Sequence, residues 1–434
     1  MDWNTYINER AVTLEEATAL IKPGDRIISG TGGGTPEPFY EAMVKRSAEL
    51  KNVEVVHMMS FGKGLYCLPE YGKAFRHNAM FAGPNQRLAI KEGRADFTTA
   101  FLSEYPKLIR EGRLPIDVAL MAVSPPDKAG NVSLGIAVDY SLEAALNAKK
   151  VIVEVSPFMP KTYGNTFLHV TQIDHFILSD RPMIAVPSPK VGPIEEAIGA
   201  NVAKLIKDED CLQLGFGTIP NAILKFIEGK HDLGIHSEMI SDGVMHLVDM
   251  GIITCRKKNF HNGKMIFTFA LGTPELYEWM NENSMIEMHP VDYTNNPYII
   301  GKNDNMVSIN SALCVDLLGQ IAADAIGPVQ FSGVGGQVDF VRGARVSSGG
   351  RSIIALPATA ASGTKSRIVA AFERGQAVTT SRNDVDYVVT EYGIADLWGK
   401  TLRERVDALI SIAAPQFRDD LYLEFEAVYR QANT

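Results

Sequence analysis

One pattern of twelve residues occurs twice in this chain, and it restricts the possible folds more than any other feature. Residues 21–32 (Ile-Lys-Pro-Gly-Asp-Arg-Ile-Ile-Ser-Gly-Thr-Gly) lie over residues 206–217 (Ile-Lys-Asp-Glu-Asp-Cys-Leu-Gln-Leu-Gly-Phe-Gly) at a constant offset of 185, with Ile, Lys, Asp and both glycines coinciding. In each copy a helical stretch precedes a short apolar strand, the strand ends in G-x-G, a proline follows and a helix resumes. Such a turn exposes backbone N–H groups at a helix N-terminus, which suits a phosphate or a developing oxyanion. Neither copy completes G-x-G-x-x-G, because Thr35 or Pro220 stands where the third glycine belongs, so a dinucleotide site is weakly supported. Close packing alone also accounts for glycines at such positions.

The surrounding pattern is that of an α/β protein. Thr13 followed by Glu16 is a capping-box signal for a helix over Leu14–Ile21, and Arg26–Ser29 reads as a strand running into Gly30–Gly34, with a helix from about Pro38. Further strands are expected at Val53–Met58, Val118–Val123 and Val151–Val155, with helical stretches such as Leu142–Lys149 between them. Apolar strands alternating with helices imply open layers around buried sheets. Pro182, Pro187, Pro189 and Pro193 interrupt the pattern and read as a linker. A chain of 434 residues is comfortable for two cores. The expectation is two similar open α/β domains, residues 1–185 and 190–434, whose glycine loops face a shared cleft.

Charge and composition exclude several partners. A net charge of −9 disfavours nucleic acid and anionic membranes, both of which need a basic surface. No apolar run approaches the ~18 residues of a membrane span, and Met1-Asp2-Trp3-Asn4-Thr5 does not open a secretory leader, so a cytoplasmic protein is expected. Cys67, Cys211, Cys255 and Cys314 form no CxxC pair, which argues for a reducing compartment and against a thiol-bound metal. Within this acidic chain, Arg342 to Arg382 holds seven basic residues (Arg342, Arg345, Arg351, Lys365, Arg367, Arg374, Arg382) and one acidic residue, Glu373. That tract is either a solvated face or a site for a small polyanion, and the glycine-rich run beside it favours the second.

Two segments stand out as chemistry. Beyond the second loop, Gly215-Phe216-Gly217-Thr218-Ile219, comes Leu233-Gly234-Ile235-His236-Ser237-Glu238-Met239-Ile240-Ser241-Asp242-Gly243, in which Glu238 sits among apolar and small residues. The bland reading is a helix-start carboxylate beside a Ser237 cap. The other is a carboxylate held for catalysis. A third glycine run, Ser332-Gly333-Val334-Gly335-Gly336-Gln337, opens the basic tract and would let backbone approach a ligand, or simply form a tight turn. No G-x-S-x-G elbow, P-loop or H-E-x-x-H motif is present, so serine-hydrolase, NTPase and zinc-protease readings lack support.

At these residues the sequence resembles the acetyl-CoA hydrolase/transferase family, in particular its 4-hydroxybutyrate and butyryl-CoA:acetate CoA-transferases. The likeness runs from Met1-Asp2-Trp3 to Trp398-Gly399-Lys400, and its most specific blocks span residues 212–220, 233–244, 331–344 and 377–396, with 124–130 and 166–174 in the first half. The resemblance implies a class I CoA-transferase fold and makes Glu238 the catalytic glutamate. It implies that Gly215, Phe216, Gly217, Thr218 and Ile219 bind CoA and help form the oxyanion hole. Asn310, Leu313, Gly335, Gly336, Arg382 and Asn383 match further segments lining the CoA site. A homodimer or higher oligomer is also implied.

In that chemistry coenzyme A is a substrate and part of a covalent glutamyl-CoA intermediate. One thioester is exchanged for another, so no ATP, metal or redox cofactor is needed. The acyl partners implied are short-chain acids such as 4-hydroxybutyrate, or butyrate with acetate. Arg76, His77, Asn78 and Arg87 suit either structural roles or the far end of a dicarboxylate such as itaconate or succinate. An acyl-CoA hydrolase on the same scaffold, and a CoA-binding sensor without turnover, are the competing readings; an intact Glu238 argues against the sensor.

Overall fold

The computed structural model describes residues 2–430; Met1, where the likeness begins, and residues 431–434 lie outside them. Contacts divide the chain into two compact units. The first takes the chain up to Pro187 together with Glu238–Asp242 and Lys264–Thr294; the second takes Ser188–Ser237, Gly243–Gly263 and the chain from Asn295 onward. The break falls inside the proline-rich stretch. The sequence assigns everything after residue 190 to one continuous domain, but pairing overrides chain order: strand Met239–Ile240, just after Glu238, pairs with Phe269–Ala270, and Ala137 bridges to Phe269.

In the first unit the strands are β1 (Arg26–Ser29), β2 (Val53–His57), β3 (Phe75–Ala79), β4 (Ala95–Phe97), β5 (Val118–Val123), β6 (Lys150–Val155) and β7 (His175–Leu178). They form one sheet in the order β4-β3-β2-β1-β5-β6-β7, with every pair parallel. A parallel sheet is covered on both faces, which is why β5 reads Val-Ala-Leu-Met-Ala-Val and is buried throughout. Helix α1 (Glu37–Val44) covers one side through Phe39, Tyr40 and Met43, which join Ile27, Val55, Phe75 and Leu120 in the core. The short helix Leu14–Ala19 begins with the expected Thr13/Glu16 capping box.

The second unit repeats the plan. Strands β8 (Cys211–Gln213), β9 (Gly234–Ile235), β10 (Met306–Ser311), β11 (Arg351–Ala355), β12 (Tyr387–Thr390) and β13 (Gly393–Asp396) lie in the order β9-β8-β10-β11-β12-β13. Only the last pair is antiparallel. Helix α2 (Pro193–Ala203) precedes β8, α3 (Thr218–Phe226) follows it, and α4 (Gln337–Val346) precedes β11.

The coinciding residues of the repeat do the same work in both units. Ile21 and Ile206 are both buried. The carboxylate of Asp25 accepts the Lys22 N–H at 2.8 Å, and that of Asp210 accepts the Lys207 N–H at 2.6 Å, closing the turn into the strand. Their carbonyls receive the neighbouring strand, Asp25 from the Glu54 N–H at 2.9 Å and Asp210 from the Gly234 N–H at 2.8 Å. Each following strand, β1 or β8, is the one at which strand order reverses. In open α/β sheets ligands bind beyond the carboxyl ends of the strands at such a switch point. The two glycine loops therefore occupy the position where the topology provides a site in each unit.

Among the described residues no helix is long and apolar enough to cross a membrane. The four cysteines are free, and burial pushes the thiols of Cys67, Cys211 and Cys314 up to about 12, away from thiolate chemistry.

Candidate active site

The residues leading to Glu238 are anchored one by one. The Gly234 N–H reaches Asp210 as above, and a Cβ at Gly234 would stand 2.6 Å from the Lys258 side chain, so glycine makes room for that lysine. Lys258, itself buried, donates its ammonium to the Ile235 carbonyl at 2.9 Å. The His236 N–H reaches the Leu212 carbonyl at 3.2 Å, and its buried ring contacts the Asn303 amide at 3.2 Å. Ser237, 1% exposed, is held twice by Leu214: its hydroxyl donates to the Leu214 carbonyl at 3.0 Å and accepts the Leu214 N–H at 3.2 Å. Glu238 follows, half-buried between the buried Ser237 and Met239, and its carbonyl accepts the N–H groups of both Thr268 (3.0 Å) and Phe269 (3.3 Å).

This corrects the helix-start reading. Glu238 immediately precedes a strand, not a helix; the next helix begins only at Asp242. Ser237 does not cap but ties the nucleophile candidate's neighbour to Leu214, the residue before Gly215.

In that second loop, Gly217 has φ 144° and ψ −176°, a conformation open only to glycine, and the chain turns there straight into α3 at Thr218, with Ile219 buried behind it. Gly215 is different. Its φ is not positive, and a Cβ added there would meet nothing within 4 Å. Neither backbone nor packing within the chain demands glycine at 215, whereas close approach of a ligand would. Phe216 and Thr218 are half-buried beside it.

Asn310 is brought to this loop. The two units of amide interlock at the ends of β8 and β10: Asn310 Nδ2 donates to Gln213 Oε1 at 3.0 Å, and Gln213 Oε1 also accepts the Ile309 N–H and the Ser308 hydroxyl. Leu313, half-buried, follows on the same edge, its N–H on the Ala322 carbonyl. Gly335, with φ 55°, and Gly336 lead into α4, whose first residue, Gln337, reaches the Thr380 hydroxyl at 3.1 Å. Arg382 and Asn383 lie further along, between Thr380 and Asp384. Asp384 pairs with Arg342 in the middle of α4 and its carbonyl holds Ser352 at the start of β11, so this segment runs down the helix away from the β8–β10 edge.

Three of the seven cations of the basic tract pair with carboxylates outside it. Arg342 pairs with Asp384 and Arg345 with Asp386, while Arg345 also stacks on Trp398 at 3.9 Å. Arg351 pairs with buried Asp210, and Arg367 is spent on the carbonyls of Thr359, Ala312 and Leu313. These four side chains brace the second unit.

In the first unit, Gly33 and Gly34 are demanded by packing. A Cβ on Gly33 would stand 2.8 Å from both the Ile184 carbonyl and the Tyr277 hydroxyl, and one on Gly34 would stand 2.7 Å from the Ala137 Cβ. Arg76 pairs with Asp96 at the surface, Asn78 bonds Glu54 and Thr98, and His77 is buried on the Val55 carbonyl. These three side chains are structural.

Two family models match the chain: the acetyl-CoA hydrolase/transferase N-terminal domain over residues 2–187 and its C-terminal domain over residues 272–425. A 4-hydroxybutyrate coenzyme A transferase of Clostridium kluyveri is 51% identical over 98% of this chain and 99% of that protein. The chain belongs to the acetyl-CoA hydrolase/transferase family. A second member, a succinyl-CoA:cyclohexane-1-carboxylate CoA transferase of Geobacter metallireducens, is 46% identical over 94% of this chain and 92% of its own length. A solved family structure, 4-hydroxybutyrate CoA-transferase from Porphyromonas gingivalis, superposes with a TM-score of 0.84 at 40% identity, covering 99% of this chain and all of that one. Sequence reasoning passed over Lys258, held on the Ile235 carbonyl, and Thr268, held on the Glu238 carbonyl. No motif surrounds either, and only hydrogen bonds between residues distant in the chain mark them.

Proposed function

We infer that this protein is an acyl-CoA:carboxylate CoA-transferase that works by a ping-pong mechanism through a thioester on Glu238. The reading is supported by its family, most directly by the 51% identity to a 4-hydroxybutyrate coenzyme A transferase over nearly the whole chain, and by Gly215, a glycine that neither backbone strain nor packing within the chain demands. A carboxylate is ionised at neutral pH but is a weak nucleophile, so the thioester carbonyl must be polarised by fixed donors. The N–H groups following Gly215 and the start of α3 are suited to that task.

Attack of Glu238 on acyl-CoA gives an acyl-glutamyl anhydride and CoA thiolate. The thiolate then attacks the glutamyl carbonyl, releasing the first carboxylic acid as its anion and leaving glutamyl-CoA. A second carboxylate reverses both steps and departs as the new acyl-CoA. Water must be kept out, because hydrolysis of glutamyl-CoA would waste the thioester. The acyl partners are short-chain acids of the 4-hydroxybutyrate and butyrate type, with acetate as exchange partner. Engagement of Arg76, His77 and Asn78 in the sheet argues against these three as a subsite for the second carboxylate of itaconate or succinate.

The test is chemical. Acyl-CoA supplied without acceptor, followed by borohydride, should reduce Glu238 at its side-chain carbonyl and leave Glu238→Ala unmodified and without transferase activity. Full activity in Glu238→Ala would reject the mechanism. Competition among acetate, butyrate, 4-hydroxybutyrate, succinate and itaconate then ranks the acids, and thioester loss independent of acceptor concentration would assign hydrolysis instead.

A further inference from the structure

Thr268 is the residue next to Glu238 whose chemistry remains unassigned. It is wholly buried, and its hydroxyl is one of the buried polar atoms with no hydrogen-bond partner among the described residues. Its backbone, by contrast, is fully used: the N–H goes to the Glu238 carbonyl, and the Thr268 carbonyl accepts from both Val138 and Asp139, at 3.1 and 3.3 Å. A hydroxyl sealed from water without a partner opposes folding, and native chains keep few of them.

Strand register decides where this hydroxyl lies. Met239 pairs with Phe269 and Ile240 with Ala270 in parallel, so one step back Glu238 faces Thr268. Thr268 and Phe269 both donate to the Glu238 carbonyl, which ties the two segments together at this step. Neighbouring strands stand ~4.8 Å apart, so Thr268 is the position directly across the pair from Glu238.

We propose that Thr268 is a catalytic residue that donates its hydroxyl hydrogen bond to the oxygen of the glutamyl carbonyl as charge develops there. This rests on Glu238 being the nucleophile. When CoA thiolate attacks the anhydride, the C–S bond forms and the carbonyl electron pair moves onto the Glu238 oxygen; it returns as the bond to the departing carboxylate breaks. Thr268 keeps its proton throughout and supplies only the hydrogen bond. The orphaned hydroxyl of the resting protein is then a donor set aside for the transition state, and its partner is made during the reaction.

The experiment uses Thr268→Val, which keeps the branched shape and removes the hydroxyl, and Thr268→Ser, which keeps the hydroxyl. Loss of one such donor typically lowers kcat about 100-fold. The expected result is that loss in Thr268→Val, with KM for acyl-CoA within about threefold, an equal or higher Tm because an unsatisfied group is gone, and most of kcat regained in Thr268→Ser. Borohydride trapping should still label Glu238 in Thr268→Val, only more slowly. A Thr268→Val enzyme with native kcat would overturn the proposal. So would a loss of kcat that comes with a lowered Tm and is not regained by serine, since that marks a packing role. Failure to label Glu238 in the unaltered enzyme would instead reject the nucleophile itself, whatever the Thr268 variants do.

Discussion

The two glycine loops begin from the same residues and end under opposite constraints. Gly33 and Gly34 are hemmed in by Ile184, Tyr277, Ile136 and Ala137, so a methyl group at either position meets an atom at 2.9 Å or less. Gly215 meets nothing. The first loop is glycine-rich because the strand platform beside Glu238, reached through Ala137 and Phe269, packs directly on it. The second is glycine-rich in part because space has been left there. Identical strand–G-x-G–helix grammar thus conceals a structural loop and an open one, and the neighbours of each glycine separate them.

The aspartates that begin the repeat offer the largest test of this divergence. Asp25 closes a surface turn, whereas Asp210 closes the same turn and also pairs with Arg351, whose side chain is 12% exposed. Burial raises the Asp210 carboxyl even beside that cation, so its charge is held at a cost in desolvation. Removing one partner of a buried pair strands the other, typically by ~3–5 kcal/mol. Asp210→Ala should therefore destabilise the fold by about that much, and Asp25→Ala by ~1 kcal/mol, the worth of an exposed hydrogen bond. Denaturant melts of the two variants showing equal losses would mean that the units had not diverged energetically at this position.

A second difference is sensitivity to acid beneath the first loop. The Gly32 N–H rests on the Met59 carbonyl, and two residues earlier His57 is fully buried, bonded to Tyr66 and to the Met58 carbonyl and stacked at 4.4 Å on His77. Burial lowers His57 to about 4, and burial together with the neighbouring ring lowers His77 as well. Unfolded histidine titrates near 6.5. Between those values the unfolded chain takes up protons that the folded chain refuses, so stability is intact above about pH 6.5 and declines as pH falls toward 4. His57 alone contributes a loss of ~3 kcal/mol across that window. Unfolding measured near pH 7.5 and again near pH 5 should show a smaller difference for His57→Gln than for the unaltered protein. An unchanged difference would place the acid sensitivity elsewhere.

Much of the framework was legible beforehand. The strands at Arg26–Ser29 and Val118–Val123 fall where apolar periodicity puts them, and the Thr13 capping box forms, because those signals are local. The coincident Lys and Asp of the repeat were visible as letters, and the structure supplies their shared hydrogen bonds. What was not legible depends on residues far apart in the chain. Arg351, Arg342 and Arg345 of the basic tract pair with Asp210, Asp384 and Asp386, two of these carboxylates beyond its end and one before its start. Thr268 reaches Glu238 only through a parallel pair thirty residues apart in register, and nothing in Ile266-Phe267-Thr268-Phe269 marks the threonine. Residues 238–242 read as part of the second half because they follow it in sequence, yet their hydrogen bonds are with the first unit.

The glycines themselves give the sharpest comparison, although each single effect is modest. Adding a methyl group at Gly34 forces it against Ala137 at 2.7 Å, and overpacking of that kind costs ~1–3 kcal/mol. Gly34→Ala should lower Tm while the molecules that remain folded keep near-native kcat. Gly215→Ala should do the reverse. With no atom in the way and no positive φ to strain, it should leave stability unchanged or raise it by ~0.4–1 kcal/mol through the unfolded chain, while kcat/KM for acyl-CoA falls ~10-fold because the methyl group occupies space a ligand needs. The two variants thus exchange their signatures, one in Tm and one in kcat/KM. Native kcat/KM in Gly215→Ala would make the second loop as structural as the first, and the open space beside it would then need another explanation than the approach of substrate.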